Sequence, residues 1–169
     1  MIVPATPDNI AEAGKRLKNG DLVAFPTETV YGLGADATSD TAVARIFAAK
    51  NRPDFNPLIV HVLDLNTAAT LAEFTDLGQK IAETFWPGPM SLVLPRKSDC
   101  PVSHLAAAGL ETIAVRVPAN ATAQAILGAA GVPIAAPSAN ASGKISPTEA
   151  AHVQESLGDA VDRIIDDGP

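Results

Sequence analysis

The sequence predicts an α/β domain built on a mostly buried, at least partly parallel sheet with flanking helices. Two observations carry that prediction. Short apolar runs rich in Val, Ile and Leu alternate along the chain with longer stretches whose apolar residues recur at helical spacing. The runs are nearly continuous rather than alternating with polar residues, the pattern of strands buried on both faces. The 169 residues suffice for one core, and 47% hydrophobic against 18% charged residues excludes a disordered chain. Thirty-one Ala and only 4% aromatic residues predict an interior of small and branched aliphatic side chains.

The elements follow in order. Ile2-Val3 begins an edge strand; Asp8 caps a helix carrying Ile10, Ala13 and Leu17 on one face, with Gly20 past its end. Leu22 to Phe25 is a buried strand stopped by Pro26, and the polar segment Pro26 to Gly34 follows as a loop. Ser39 or Asp40 starts a helix with Val43, Ile46 and Phe47 inward; it ends near Lys50, because Pro53 disfavours helical geometry at Arg52. Leu58 to Val62 is a strand, Thr67 to Phe85 is helical with a break near Thr75, and Trp86-Pro87-Gly88-Pro89 is a rigid turn. Strands return at Ser91–Leu94 and Thr112–Val117, each closed by a proline. Asn120 caps a helix that Gly131 ends, Val132–Ala136 is a short strand, and Pro137–Ser146 is a polar loop. A last helix opens on Ser146-Pro147-Thr148-Glu149, a capping box with proline at the first helical position.

Composition also excludes function classes. Fourteen Pro and 12 Gly without a period argue against repeat arrays and coiled coils. No apolar run reaches the length of a membrane span, and the N-terminus lacks a signal-peptide pattern, so a cytoplasmic protein without membrane contact is expected. Cys100 is single, and His61, His104 and His152 have no ligand spacing, so no protein-held metal is expected. The net charge of −7 repels polyanions at long range. An anionic ligand therefore requires cations gathered locally, within the roughly 8 Å over which charges act in physiological salt.

Two short motifs could do this. In Lys50-Asn51-Arg52-Pro53, an extended chain would aim both cations to one side; in Pro137-Ser138-Ala139-Asn140, two small hydrogen-bonding side chains repeat that spacing after a strand. Each has a plainer reading, as a helix-dipole complement and as a turn. Gly143-Lys144 lacks the glycine a phosphate-binding loop needs at Ser138, and Gly32-Leu33-Gly34 lacks the third glycine of a dinucleotide fingerprint. His61, inside an apolar strand, is either a satisfied core histidine or a pocket wall. Arg116, in mid-strand, requires an anion: a ligand carboxylate, a ligand phosphate or an internal Asp.

Taken together and in this order, these blocks resemble the YrdC-like family of threonylcarbamoyl-AMP synthases. The blocks are Phe25-Pro26-Thr27-Glu28-Thr29-Val30-Tyr31-Gly32-Leu33-Gly34, Lys50-Asn51-Arg52-Pro53 leading into Asn56–Val62, Trp86–Pro89, Val115–Pro118, Ala136–Gly143 and Ser146-Pro147-Thr148. The resemblance implies a YrdC-like or RibB-like fold, a twisted, mixed or parallel sheet with flanking helices around a central concave, positively lined cavity. In it L-threonine, bicarbonate and ATP would give threonylcarbamoyl-AMP and pyrophosphate for the t6A modification of tRNA, with magnesium carried on the nucleotide. It implies catalytic roles for Lys50 and Arg52, and ATP contacts from Arg52, Asn56, Thr112, Ser138, Asn140 and Ser146. Threonine contacts would come from Thr29, His61, Arg116 and the main chain at Ala136. It further implies a downstream t6A transferase machinery and weak contact with tRNA or double-stranded RNA. In the family the chain continues beyond the equivalent of Asp167-Gly168-Pro169, so residues 1–169 read as a catalytic domain cut short at its C-terminus. A non-catalytic RNA-binding module is the alternative, and carbamoyl-adenylate chemistry on another acceptor is a third.

Overall fold

The computed structural model describes residues 1–53 and 56–169. In chain order the elements are β1 (Ile2–Pro4), α1 (Pro7–Lys18), β2 (Val23–Phe25), β3 (Gly32–Asp36), α2 (Asp40–Lys50), β4 (Ile59–His61), α3 (Leu65–Leu71) and α4 (Asp76–Phe85). Then come β5 (Leu92–Pro95), β6 (Thr112–Arg116), α5 (Ala121–Ala130), β7 (Ile134–Ala135), α6 (Ala150–Leu157) and β8 (Arg163–Asp166). The strands join in one mixed sheet in the order β1-β8-β2-β3-β7-β4-β6-β5. β8 runs parallel to β1 and β2, and β4 parallel to β6; the other pairs are antiparallel. The proline that ends β5 is tolerated because β5 is an edge strand.

Several local expectations are corrected. β3 occupies the end of the segment read as a loop, and β8 was not expected at all. Gly34 fits β3 for a packing reason: a Cβ there would lie 2.6 Å from Phe25 Cε1. The cap of α1 is Thr6, whose side chain accepts from Asn9 N–H, while Asp8 sits in the first turn. The capping box at Ser146 does not form: α6 starts at Ala150 behind Glu149, which makes no side-chain cap bond. Ser39, Thr75 and Asn120 cap α2, α4 and α5 as their types predict.

Helices cover the two faces unequally, and that inequality creates the site. On one face α2, α3 and α6 contribute Val43, Ile46, Leu71 and Val153 to a core with Leu33, Ala35, Val60 and Val115. On the other, α1 and α5 pack Ala13, Leu17, Ile126 and Leu127 against Val23, Phe25 and Ile134. These two helices approach closely, since a Cβ on Gly14 would stand 2.6 Å from Ala129 Cβ. Partners in register share a face of a sheet, so Ile134, His61 and Arg116 point the same way, as do Ile59, Ala114 and Val93. Over β4, β6 and β5 this face is left open: Ile59, Thr112 and Ala114 stay half-exposed, and Val93 is 67% exposed.

Candidate active site

The open face carries a cavity of about 260 Å³, lined among others by Thr29, His61, Arg116, Ala136 and Ser138. The fold brings them together in three pieces. β4 and β6 set His61 beside Arg116. The chain after β7 extends the sheet: Leu33 N–H donates to Pro137 O at 2.7 Å, and Ala139 N–H to Tyr31 O at 2.8 Å. The loop before β3 supplies Thr29, set by Thr27, whose hydroxyl donates to Val30 O at 2.7 Å and accepts from the Thr29 and Val30 N–H groups.

Arg116 is 7% exposed, and its internal partner is an acid, though not an Asp. Its Nη2 donates to Glu28 Oε1 at 2.7 Å, its Nε donates to Gly88 O at 3.2 Å, and Thr29 Oγ1 lies 3.4 Å from Nη2 and 3.5 Å from Nη1. Burial works to raise the Glu28 carboxyl, but hydrogen bonds from Arg116 and nearby backbone N–H groups outweigh it and hold it below the ordinary carboxylate range. His61 is 2% exposed; burial, with the Arg116 charge second, pushes it down to about 4, so it is neutral at pH 7. Its Nδ1–H donates to Ile59 O at 3.3 Å, which leaves Nε2 as an acceptor.

The Lys-x-Arg pair is arranged differently from an extended strand aimed at one point. Lys50 closes the last turn of α2 and is 1% exposed, Asn51 turns left-handed at φ 48°, and Arg52 follows outside the helix. Lys50 Nζ donates to the carbonyls of Ser138 and Asn140, so it clasps the Ser-x-Asn loop from beneath. Burial, reinforced by the nearby Arg52 charge, pushes Lys50 down to about 8, leaving it mostly charged at pH 7. Arg52 reaches Asn56 O at 3.5 Å and Pro57 O at 3.3 Å, and burial lowers its pKa.

Asn140, 4% exposed, donates through Nδ2 to Ala141 O and Lys144 O, while its Oδ1 is buried without a partner among the described residues. Thr112 lies on the open face of β6, at the far end of the strand from Arg116. Ser146 stands apart, exposed, in a second cavity of about 550 Å³ shared with Lys144, Ile145, His152 and Glu155. The loop from Pro137 to Pro147 lines both cavities. Sequence reasoning gave no role to Glu28 or Gly88; both lie inside quoted motif blocks, which was the signal available. No cluster of three or more His, Cys, Asp or Glu able to hold a metal occurs among the described residues.

The family model Sua5_yciO_yrdC, described as telomere recombination, matches residues 15–169. The chain belongs to the Sua5/YciO/YrdC family. It is 47% identical over 161 residues to a threonylcarbamoyl-AMP synthase of Bacillus subtilis, a match covering 95% of this chain and 46% of that one. A synthase of Idiomarina loihiensis is 35% identical over 163 residues, covering 95% and 86% of the two chains. Pyrococcus abyssi Sua5, solved in complex with L-threonine, superimposes with a TM-score of 0.95 at 45% identity over 99% of this chain and 50% of that one. The chain thus spans about half the length of the first of these relatives.

Proposed function

We propose that residues 1–169 form the YrdC-like catalytic domain of an L-threonylcarbamoyladenylate synthase. It makes threonylcarbamoyl-AMP and pyrophosphate from L-threonine, bicarbonate and ATP, and a t6A transferase machinery in the cytoplasm passes the group to tRNA. The observation that carries this reading is the small cavity whose lining residues include one charged group, Arg116, beside the neutral acceptor His61. Its volume suits a small amino acid rather than a nucleotide. The threonine carboxylate meets the Arg116 fork, and the threonine hydroxyl donates to His61 Nε2. The main chain at Ala136 completes that subsite.

The nucleotide lies along the Pro137–Pro147 loop, toward Ser146 and the larger cavity. Ser138 and Arg52 hold the phosphates, Asn140 braces their loop through its Nδ2 bonds to Ala141 O and Lys144 O, and Asn56 and Thr112 border them. Threonine amine and bicarbonate condense to a carbamate with loss of water. A carbamate oxygen then bonds to the α-phosphorus as the bond to the β-phosphate oxygen breaks and pyrophosphate leaves. Alignment and neutralisation of developing charge dominate such a step, and Lys50 and Arg52 supply the cations. Magnesium would travel on the phosphates, since the protein's donors here are cations, amides and hydroxyls.

Incubation with ATP, bicarbonate and L-threonine should release pyrophosphate only when threonine is present. Arg52→Ala should cut the rate by well over about tenfold, as expected for a charge acting in the transition state. Threonine-independent release, or release that follows a different amino acid, would overturn the reading.

A further inference from the structure

A guanidinium offers two edges to an acceptor: Nε with Nη2, and Nη1 with Nη2. In this protein the first edge is fully used. Nε donates to Gly88 O at 3.2 Å and Nη2 to Glu28 Oε1 at 2.7 Å. Among the described residues the second edge meets only Thr29 Oγ1, shared between Nη1 and Nη2 at 3.5 and 3.4 Å, both long for such bonds. Thr29 and Arg116 line the small cavity, whereas Glu28 and Gly88 are not among its lining residues. Glu28 is itself anchored, since its Oε2 accepts from Asn120 N–H, at the start of α5, at 3.4 Å. Its side chain is 23% exposed and that of Arg116 8%, so the ion pair is largely shielded from solvent.

We propose that Glu28 is the positioning residue for Arg116. It locks the Nε–Nη2 edge from behind the cavity and so presents the Nη1–Nη2 edge to a ligand carboxylate, with the Thr29 hydroxyl marking the position that carboxylate takes. The assignment of that carboxylate to threonine rests on the proposed function. The lock itself rests on the contacts of Glu28, Gly88 and Asn120. Without Glu28 the guanidinium is free to swing and to expose either edge. Carboxylate binding then loses its preferred orientation, while the phosphate-binding loop at Ser138 and Asn140 is untouched.

The test uses the full protein with Glu28→Ala and Glu28→Gln, measuring steady-state constants for L-threonine and for ATP. Rotation about the Arg116 Nε–Cζ bond is followed in parallel by guanidinium NMR without ligand. Glu28→Ala should raise the threonine KM about tenfold or more, leaving kcat and the ATP KM within about twofold, because one charge-assisted hydrogen bond orients the fork. Guanidinium rotation should be hindered in the parent and fast in Glu28→Ala. Glu28→Gln, which keeps an acceptor oxygen, should restore part of both readouts. A folded Glu28→Ala protein with unchanged threonine KM, or with rotation as slow as the parent's, would overturn the proposal. If the parent binds no threonine, the functional reading fails instead, and the rotation rates still decide whether Glu28 locks Arg116.

Discussion

His61 shares a register pair with Arg116 and is almost wholly buried, so its titration reports on the polarity of the cavity wall. Its folded pKa lies at about 4, against an ordinary value of 6.5, through burial first and the Arg116 charge second. Between these values the unfolded chain binds the proton and the folded one does not. Stability is therefore complete above about pH 6.5 and falls as pH drops toward 4. The shift corresponds to about 3 kcal/mol. Urea unfolding of the parent and of His61→Gln between pH 4 and 7 should show the parent losing about that much more stability on acidification. Parallel curves would mean that His61 is solvated and that the wall is not dry. From the sequence alone His61 is either core or pocket wall, and in the fold it is both. That ambiguity was physical, because a strand cannot reveal from its own residues which neighbouring face is uncovered. Arg116 likewise announced a need for an anion, but its partner comes from a loop 88 residues away in sequence, and only the fold specifies it.

Lys50 joins two elements, and its role belongs to that scale. The chemistry of Lys-x-Arg and Ser-x-Asn was legible, but their relation was not: the helix runs through Lys50, and the lysine turns under the loop that carries Ser138 and Asn140. The Lys50 carbonyl also accepts from Ser142 N–H at 2.8 Å, so α2 grips this loop through both side chain and backbone. Lys50→Met keeps the bulk of the side chain and strands two carbonyls, each a deficit of about 1–3 kcal/mol when buried. Amide exchange at residues 138–144 should quicken by about tenfold or more in that variant, with pyrophosphate release strongly reduced. Unchanged exchange in a folded variant would show that Lys50 acts on the phosphates alone. The strands that escaped prediction have equally local causes. β3 reads Gly-Leu-Gly-Ala-Asp, whose glycines signal a turn and whose fitness lies in the tight approach of Phe25. β8 is two isoleucines between charges, too short for any period to emerge.

At the scale of the whole molecule the deciding quantity is charge, which separates a small-ligand enzyme from an RNA-binding module. The chain carries 19 acidic and 12 basic residues. Several of the arginines are already committed: Arg16 pairs with Glu12 and Asp21, Arg45 with Asp21 and Asp162, and Arg116 with Glu28. Lys50 is buried under its loop. Arg52, beside Lys50, and Lys144, in the larger cavity, remain, too few cations to neutralise a duplex backbone. Few aromatic residues are available for base stacking either. Each phosphate neutralised on a nucleic acid contributes about one unit to the dependence of log K on log salt. Binding of a short RNA duplex, followed by anisotropy across a salt series, should therefore be weak at physiological salt, with a slope of about 2 or less. Tight binding with a slope of about 6 or more would require a basic face beyond these residues and would restore the RNA-module reading.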